Sequence, residues 1–359
     1  MTEEALARLR EKIKKKDQEI VTLLNERAGT SVEIGNIKTA MGMDIYDPSQ
    51  ESRVFENLVA ANTGPLPLES LSIIFREIIS ASRALQNPMT VAFFGLEASF
   101  THLAARSHFG SSAQLFPQTT IFRVFDEVER KKVHWGVVPV ENSVEGSVNL
   151  TLDRLTVTPL NIRAEIFLRI SQYLLSPGTR LKDIKTVYSH PQALAQCQGW
   201  LRANLPGASL VEVGSTAAAA LRVVNDMQGA AIGSSLAATV YGLNILSEGI
   251  EDNPSNTTRF LVIGEGEGKS TGRDKTSILF ATPHTPGALY GALKPFADRH
   301  INMMKIESHP VRDRLWEYLF FVDLAGHTDD EEIKECLKDL EKKTAHLKIL
   351  GSYPRSEGI

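Results

Sequence analysis

From Leu6 to Met41 an apolar residue returns every seven positions, at Leu6, Ile13, Ile20, Ile34 and Met41. Arg27 holds the place in that series where an apolar side chain is missing, and Leu9, Leu23 and Ile37 supply a second apolar position. Such a repeat marks a helix that packs along a seam, and it predicts one long helix over 4–40, ended by Asp47-Pro48. Shorter helices are expected over 49–61 and 68–85, separated by the turn Gly64-Pro65-Leu66-Pro67. A guanidinium inside a packed seam is costly unless paired. Arg27 therefore covers apolar surface and snorkels, sets register, or holds a ligand. Lys38 returns to nearly the same helical face, and Arg10 shares the heptad position of Lys38. Either cation alone reads more simply as a long side chain that covers apolar surface and snorkels to water. Arg10 and Arg27 lie about 25 Å apart along a helix, so one small ligand reaches both only if a second chain brings its Arg10 alongside. On the third helix Ser82 and Gln86 share a face with Phe75, Ile78 and Ile79.

After Asn87-Pro88 the pattern changes to alternating short strands and helices. Strands are expected over 90–95, 135–140, 186–189, 230–233 and 259–263, and helices over 103–107, 192–204 and 216–226, which reads as an α/β domain with a mainly parallel sheet. Polar groups follow the strand ends at Glu141-Asn142-Ser143 and Ser189-His190-Pro191-Gln192, where an open sheet keeps its crevice. Taken singly, such residues are more often turn formers and caps. The Gly-rich, charged stretch 264–275 reads as a linker. Beyond it strands over 277–281, 302–307, 316–323 and 346–353, with helices opening at Thr285-Pro286 and spanning 329–343, give the order βαββαβ of a ferredoxin-like unit.

Composition removes several function classes. The net charge of −4 offers no basic field for nucleic acid. Residues 1–87 carry 11 Lys+Arg and 13 Asp+Glu, so 11 − 13 = −2, and the first helix has no helix-turn-helix break, against a DNA-binding regulator. No apolar run reaches the length of a membrane span. Cys197 and Cys336 lie far apart, and with no signal-peptide pattern at the N-terminus a reducing cytoplasm is expected. The histidines show no metal-ligand spacing, there is no dinucleotide or P-loop fingerprint, and no GxSxG elbow occurs, so neither metal nor cofactor is expected.

Several stretches carry a specific resemblance. LARLREKI, NERAGTSVEIGNIK, YDPSQE and SRALQ resemble the all-helical chorismate mutases across residues 4–87. VAFFGLEASFTHLAA, GVVPVENSVEGSV, VYSHPQALAQC, AAIGSSLAATVYGL and NPSNTTRF resemble prephenate dehydratase across 90–264. Residues 276–353 resemble an ACT regulatory domain. The resemblance implies an all-α mutase of three helices (1–87) forming an intertwined dimer. It implies a two-lobed, periplasmic-binding-protein-like α/β domain, with lobe one at about 90–165 and 250–264 and lobe two at 166–249. A ferredoxin-like α+β ACT domain would follow at 276–353. The implied function is conversion of chorismate to prephenate and of prephenate to phenylpyruvate, without cofactor or metal, in a homodimer or higher homo-oligomer regulated by L-phenylalanine. Alternatives are a dehydratase with a weakened mutase and a non-catalytic amino-acid-binding regulator.

By the same resemblance, Arg27 and a partner's Arg10 hold the carboxylates of chorismate, Lys38 and Gln86 serve the ether oxygen, Asp47 and Glu51 the ring hydroxyl, and Ser82 a carboxylate. Placing cations where negative charge develops on the breaking bond suits a rearrangement that needs no nucleophile. Thr258 is the expected proton donor to the leaving hydroxyl of prephenate. Asn142, Ser189 and Gln196 orient the substrate, Ser99 and Arg259 contact its carboxylates, and Phe260 shapes the pocket. Gly287, Ala288 and Leu289, with Glu307, Ser308, His309 and Pro310, form the phenylalanine motifs. Departures from the family pattern include Gln50 for an arginine, Ala98 for a glycine in GLEAS where the family has GPEGT, and His309 for an arginine. They bear respectively on mutase strength, on the freedom of the loop before Ser99, and on effector binding and its pH dependence.

Overall fold

The computed structural model describes residues 2–43, 45–310 and 318–356. Trp316, where one expected strand begins, lies outside them. The described chain forms two compact units, one helical, with Val54–Met89 at its centre, and one α/β, containing Leu115 onward.

In the helical unit α1 (Thr2–Ala40) is a single helix of 39 residues, roughly 58 Å long. After α2 (Pro48–Ala61), α3 (Leu68–Gln86) packs against α1. Its 19 residues are too few to cover the longer helix. Much of the seven-residue seam is therefore open within one chain: Ile13 and Ile37 are 61% and 60% exposed.

The α/β unit begins with β1 (Thr90–Phe94), α4 (Phe100–Phe109), β2 (Gln114–Gln118), α5 (Ile121–Glu129), β3 (Trp135–Asn142), β4 (Gly146–Ser147), α6 (Asn149–Val157) and β5 (Asn161–Arg169). Then come β6 (Tyr173–Ser176), β7 (Thr186–Ser189), α7 (Pro191–Gln196), α8 (Gln198–Asn204), β8 (Ser209–Glu212), α9 (Thr216–Val223), β9 (Gly229–Gly233), α10 (Ser235–Tyr241) and β10 (Asn244–Ser247). The chain returns through β11 (Thr257–Gly264).

These strands build two sheets, ordered β2-β1-β3-β11-β5 with β4 beside β3, and β10-β6-β9-β7-β8. Both sheets are mixed, which corrects the expectation of a mainly parallel one. β1 runs parallel to β3, but the returning strand β11 lies antiparallel to both β3 and β5. In the second sheet β7 is parallel to β8 and β9, while β6 is antiparallel to β9 and β10. A return strand inserted between two earlier strands has no sequence signature, because its pairing is decided by strands far away in the chain. The chain leaves the first sheet after Arg169, slightly later than expected, and re-enters it at Thr257. The two crossing segments are tied together: Ile170 N donates to Asn256 O and Ile250 N to Gln172 O.

The last segment forms β12 (Asp274–Ala281), α11 (Ala288–Asp298), β13 (Met303–Pro310), β14 (Tyr318–Ala325), α12 (Glu331–Glu341) and β15 (His346–Pro354), in a sheet ordered β13-β14-β12-β15. This is the expected βαββαβ unit. Its first helix opens at Ala288 rather than at Thr285-Pro286, because Gly287 takes a left-handed φ of 80° that ends the preceding turn. One apolar cluster lies between this sheet and its two helices, with Phe280, Phe296 and Leu340 at its centre. The other face shares a core with the first sheet, where Leu279, Phe321, Leu350 and Tyr353 meet Val138, Ile162 and Leu261.

Candidate functional site

A cleft of about 520 Å³ is lined from both α/β sheets, by Ser99 and Asn142 on one side and by Gln192, Gln196 and Thr216 on the other, with Thr258 and Phe260 on the return strand. Antiparallel pairing sets its centre. Register places Thr258 of β11 opposite Asn142 of β3, and Asn142 Nδ2 donates to Thr258 Oγ1 at 2.8 Å and to Asn256 Oδ1 at 2.8 Å. Asn142 Oδ1 in turn accepts from the backbone N–H groups of Val144 (2.9 Å) and Glu145 (3.1 Å). All four bonds hold the carboxamide in one orientation. Because Thr258 Oγ1 is already an acceptor, its own proton is free to point at a ligand. One irregularity lies beside this pair: β3 carries an extra residue, Val140, between the pairs Arg259–Glu141 and Phe260–Pro139. Bulges of this kind re-aim side chains at sites.

Among the described residues no lysine or arginine lines the cleft. Positive potential comes instead from helix starts. The first residues of α4 (Phe100, Thr101) and of α9 (Thr216) border the cleft from opposite sheets, each behind a serine cap. Ser99 Oγ accepts from His102 N (3.2 Å), and Ser215 Oγ from Ala218 N (3.0 Å). Unpaired N–H groups at helix starts and the helix dipole suit carboxylates. The loop leading to Ser99 is fixed by Ala98, whose φ of 64° is left-handed. For an alanine this costs roughly 1–2 kcal/mol. The conformation is held by Ala98 N donating to His102 Nδ1 (2.9 Å) and by Ser234 Oγ donating to Ala98 O (2.7 Å). Glu145 lines the cleft too, and its pKa is raised by partial burial, against which the nearby His190 acts.

Two residues expected at this site stand elsewhere. Ser189 is fully buried, and its Oγ donates to Ile232 O (2.8 Å), a strand-to-strand bond inside the second sheet. Arg259 points away from the cleft because alternate residues of a strand face opposite sides. Its guanidinium pairs with Asp323 (2.6 Å) and Glu165 (2.9 Å) and donates to Tyr353 Oη (2.9 Å). Burial works against the Arg259 charge, but Tyr353, Asp323 and Glu165 more than offset it and raise its pKa. Ser99, Asn142, Gln196, Thr258 and Phe260 line the cleft as expected. Residues missed earlier are Gln172, buried and donating to Gln196 Oε1 at 3.3 Å, and Asn256, Glu145 and His190. The last three lie in motifs already noted, whereas Gln172 lies on a crossing segment without any signal.

In the helical unit Arg27 Nη1 donates to Ser82 Oγ (2.8 Å), Gln86 Nε2 to Ser31 Oγ (2.6 Å) and Lys38 Nζ to Ile45 O (2.9 Å). Arg27, Lys38 and Gln86 are half-buried, while Arg10 is exposed. Asp47 precedes α2 and Glu51 lies in its first turn.

In the C-terminal module a cavity of about 420 Å³ is lined by residues 282–290, Gly287, Ala288 and Leu289 among them. The second motif does not line it. Glu307 accepts from Ser147 Oγ, and His309 Nε2 lies 2.7 Å from Asp153 Oδ1. Both side chains thus face the two-lobed part of the chain, while Ser308 alternates to the other side of β13.

Family models for prephenate dehydratase (residues 91–268), chorismate mutase type II (9–87) and the ACT domain (276–342) match the chain. The bifunctional chorismate mutase/prephenate dehydratase of Aquifex aeolicus is 46% identical over 98% of this chain and 99% of its own. A solved prephenate dehydratase from Arthrobacter aurescens, in complex with L-Phe, is 36% identical with a TM-score of 0.69, covering 74% of this chain and 90% of its own. GqqA, described as a quorum quenching acylase, is 30% identical with a TM-score of 0.69, covering 74% and 98%. The chain belongs to the bifunctional chorismate mutase/prephenate dehydratase family.

Proposed function

We infer that the chain rearranges chorismate to prephenate in its helical module and converts prephenate to phenylpyruvate in the two-lobed cleft. The observation that carries the second activity is the 2.8 Å bond from Asn142 Nδ2 to Thr258 Oγ1 inside that cleft. Prephenate loses carbon dioxide and its ring hydroxyl. The electrons of the breaking C–CO₂ bond enter the ring, and the hydroxyl leaves as water after taking one proton. Thr258 supplies that proton, and Asn142 stabilises the charge developing on Oγ1. The substrate is a dianion, and its carboxylates face the starts of α4 and α9 and the hydroxyl of Ser99. Aromatisation supplies the driving force, so no cofactor enters the scheme.

An acylase reading is less well supported. Acyl transfer needs a nucleophile activated by a neighbouring base. Among the described residues Thr258 Oγ1 accepts from a carboxamide and Ser99 Oγ from a backbone amide, and neither bonds a histidine ring or a carboxylate.

For the mutase, Arg27, Lys38, Ser82 and Gln86 bind chorismate together with Arg10 of a second copy. The open seam of α1 suits that second copy. L-Phenylalanine acts at the Gly287–Leu289 cavity, an assignment supported by the L-Phe complex of the Arthrobacter relative. Two free, buried cysteines suit a reducing cytoplasm.

The deciding experiment supplies chorismate and prephenate separately to Thr258→Val. Chorismate should still become prephenate while phenylpyruvate formation falls to a small residual rate. Full dehydratase turnover in that variant would remove Thr258 from the mechanism. A phenylalanine titration that leaves dehydratase activity flat would remove the effector.

A further inference from the structure

Arg259 stands between two residues of the cleft, Thr258 and Phe260, yet its side chain is buried on the opposite face of the first sheet. Three groups from three strands meet it there. Glu165 of β5 lies 2.9 Å from Nε, Asp323 of β14 lies 2.6 Å from Nη1, and Tyr353 of β15 accepts from Nη2 at 2.9 Å. Two of the three belong to the C-terminal ferredoxin-like module. The set is closed by Lys275 of β12, 2.7 Å from Glu165, and by Ser277, which bonds both Asp323 (2.6 Å) and Tyr353 (2.6 Å).

Two cations and two anions balance in this cluster, with side-chain exposures between 0 and 9%. Burying four charges is expensive, and replacing such sets by apolar residues is often neutral or stabilising. Stability alone is therefore a weak reason for the cluster. A fixed orientation is a better one, because a guanidinium hydrogen-bonded at Nη1 and Nη2 from two strands, with the carboxylate of a third 2.9 Å from Nε, has little freedom to turn.

The docking around the cluster is tight. Gly351 of β15 has φ 145°, and a side chain there would begin 2.3 Å from Ile162 O of β5. No residue but glycine fits, so the backbones of the two sheets lie directly on each other. Rotation of β11 about its own axis would swing Thr258 in the cleft and Arg259 behind it together. Asn142 holds the strand from the cleft side, and the Arg259 cluster holds it from the rear.

We propose that Arg259 is a positioning residue for Thr258, and that Asp323 and Tyr353 of the C-terminal module complete the dehydratase site by fixing the rotation of β11. The proposal rests on the reading of Thr258 as proton donor and deepens it. It makes the regulatory module a structural part of the catalytic strand. Misplacement of a reacting group by about 1 Å costs on the order of 100-fold in rate, so partial loosening should be visible in kcat.

The test uses the full chain with Asp323→Asn and Tyr353→Phe, each alone and on a Thr258→Val background, with prephenate as substrate. Tyr353→Phe removes a single hydroxyl, so it carries the test if Asp323→Asn does not fold. The expected result is a loss of roughly tenfold or more in kcat, with KM for prephenate within about twofold of the parent. On the Thr258→Val background the same substitutions should leave the residual rate unchanged, because they act through that hydroxyl. Losses that persist in full on that background, a rise in KM at constant kcat, or parental kinetics in Tyr353→Phe would overturn the proposal. Failure of the Thr258 reading is separately visible, since Thr258→Val alone would then keep its activity.

Discussion

Replacing Asn142 by aspartate tests the cleft chemistry most directly, because the shape of the side chain barely changes while its hydrogen-bonding sense reverses. Nδ2 donates to Thr258 Oγ1 and Asn256 Oδ1, both at 2.8 Å, and Asn142→Asp puts an acceptor where both donors were. The bonds that Oδ1 accepts from Val144 N and Glu145 N can persist, so the loop after β3 keeps its anchor. The bond to Asn256 is lost and the one to Thr258 is reversed, which lowers stability by roughly 0.5–1.5 kcal/mol, a loss that a domain of ordinary stability survives. The kinetic effect is larger. The new carboxylate takes the Thr258 proton as its own hydrogen bond, so that proton no longer points at the substrate, and the charge developing on Oγ1 meets an anion instead of a donor. Loss of one such transition-state donor costs roughly 2.7–4 kcal/mol, or 10²–10³ in kcat. The assay is phenylpyruvate formation from supplied prephenate, with chorismate turnover in the same sample as an internal reference. Lowering the pH should restore part of the rate, because a protonated carboxyl regains an O–H donor. Retention of kcat within about threefold, or a loss that does not respond to pH, would refute the reasoning.

Further outcomes follow from the same geometry. Burial raises the pKa of the Glu145 carboxyl, with His190 opposing. A carboxyl whose folded pKa is raised favours the native state at low pH, and that contribution is lost as pH rises through the unfolded and then the folded pKa. Ionised Glu145 also repels a dianionic substrate. KM for prephenate should therefore fall as pH drops through the carboxylate range, and Glu145→Gln should lower KM at neutral pH and flatten the profile. Arg27→Ala removes the 2.8 Å bond to Ser82 and a half-buried cation. It should lower chorismate turnover by about 10² or more while turnover of supplied prephenate stays at the parental level, and unchanged mutase kinetics would count against the assignment. Burial pushes the Cys197 thiol up to about 12. Alkylation at pH 8 should consequently spare it in the native protein and label it on unfolding, as mass spectrometry of the tryptic peptide would show.

Local pattern and composition reach a long way in this chain. The seven-residue repeat predicts α1 because a helix buries a stripe, and Arg27 stands out in it because a cation interrupts that stripe. Polar groups after a short apolar run point to Asn142, because open α/β sheets keep their sites at strand ends, whereas Thr258 is singled out only by the resemblance of NPSNTTRF to prephenate dehydratase. Ser189 and Arg259 lie in equally suggestive motifs, and neither side chain enters the cleft. For Ser189 the difference is one of pairing: its hydroxyl bonds Ile232 O across two neighbouring strands, and strand adjacency is invisible until the sheet is assembled. For Arg259 the alternation of a strand separates it from Thr258, but only the docking of the C-terminal sheet supplies the carboxylates that hold it there. The handling of substrate charge was likewise decided in three dimensions. A sequence shows cations as letters, whereas the starts of α4 and α9 attract anions through backbone dipoles and unpaired N–H groups, which become one site only when two sheets bring them to the same cleft.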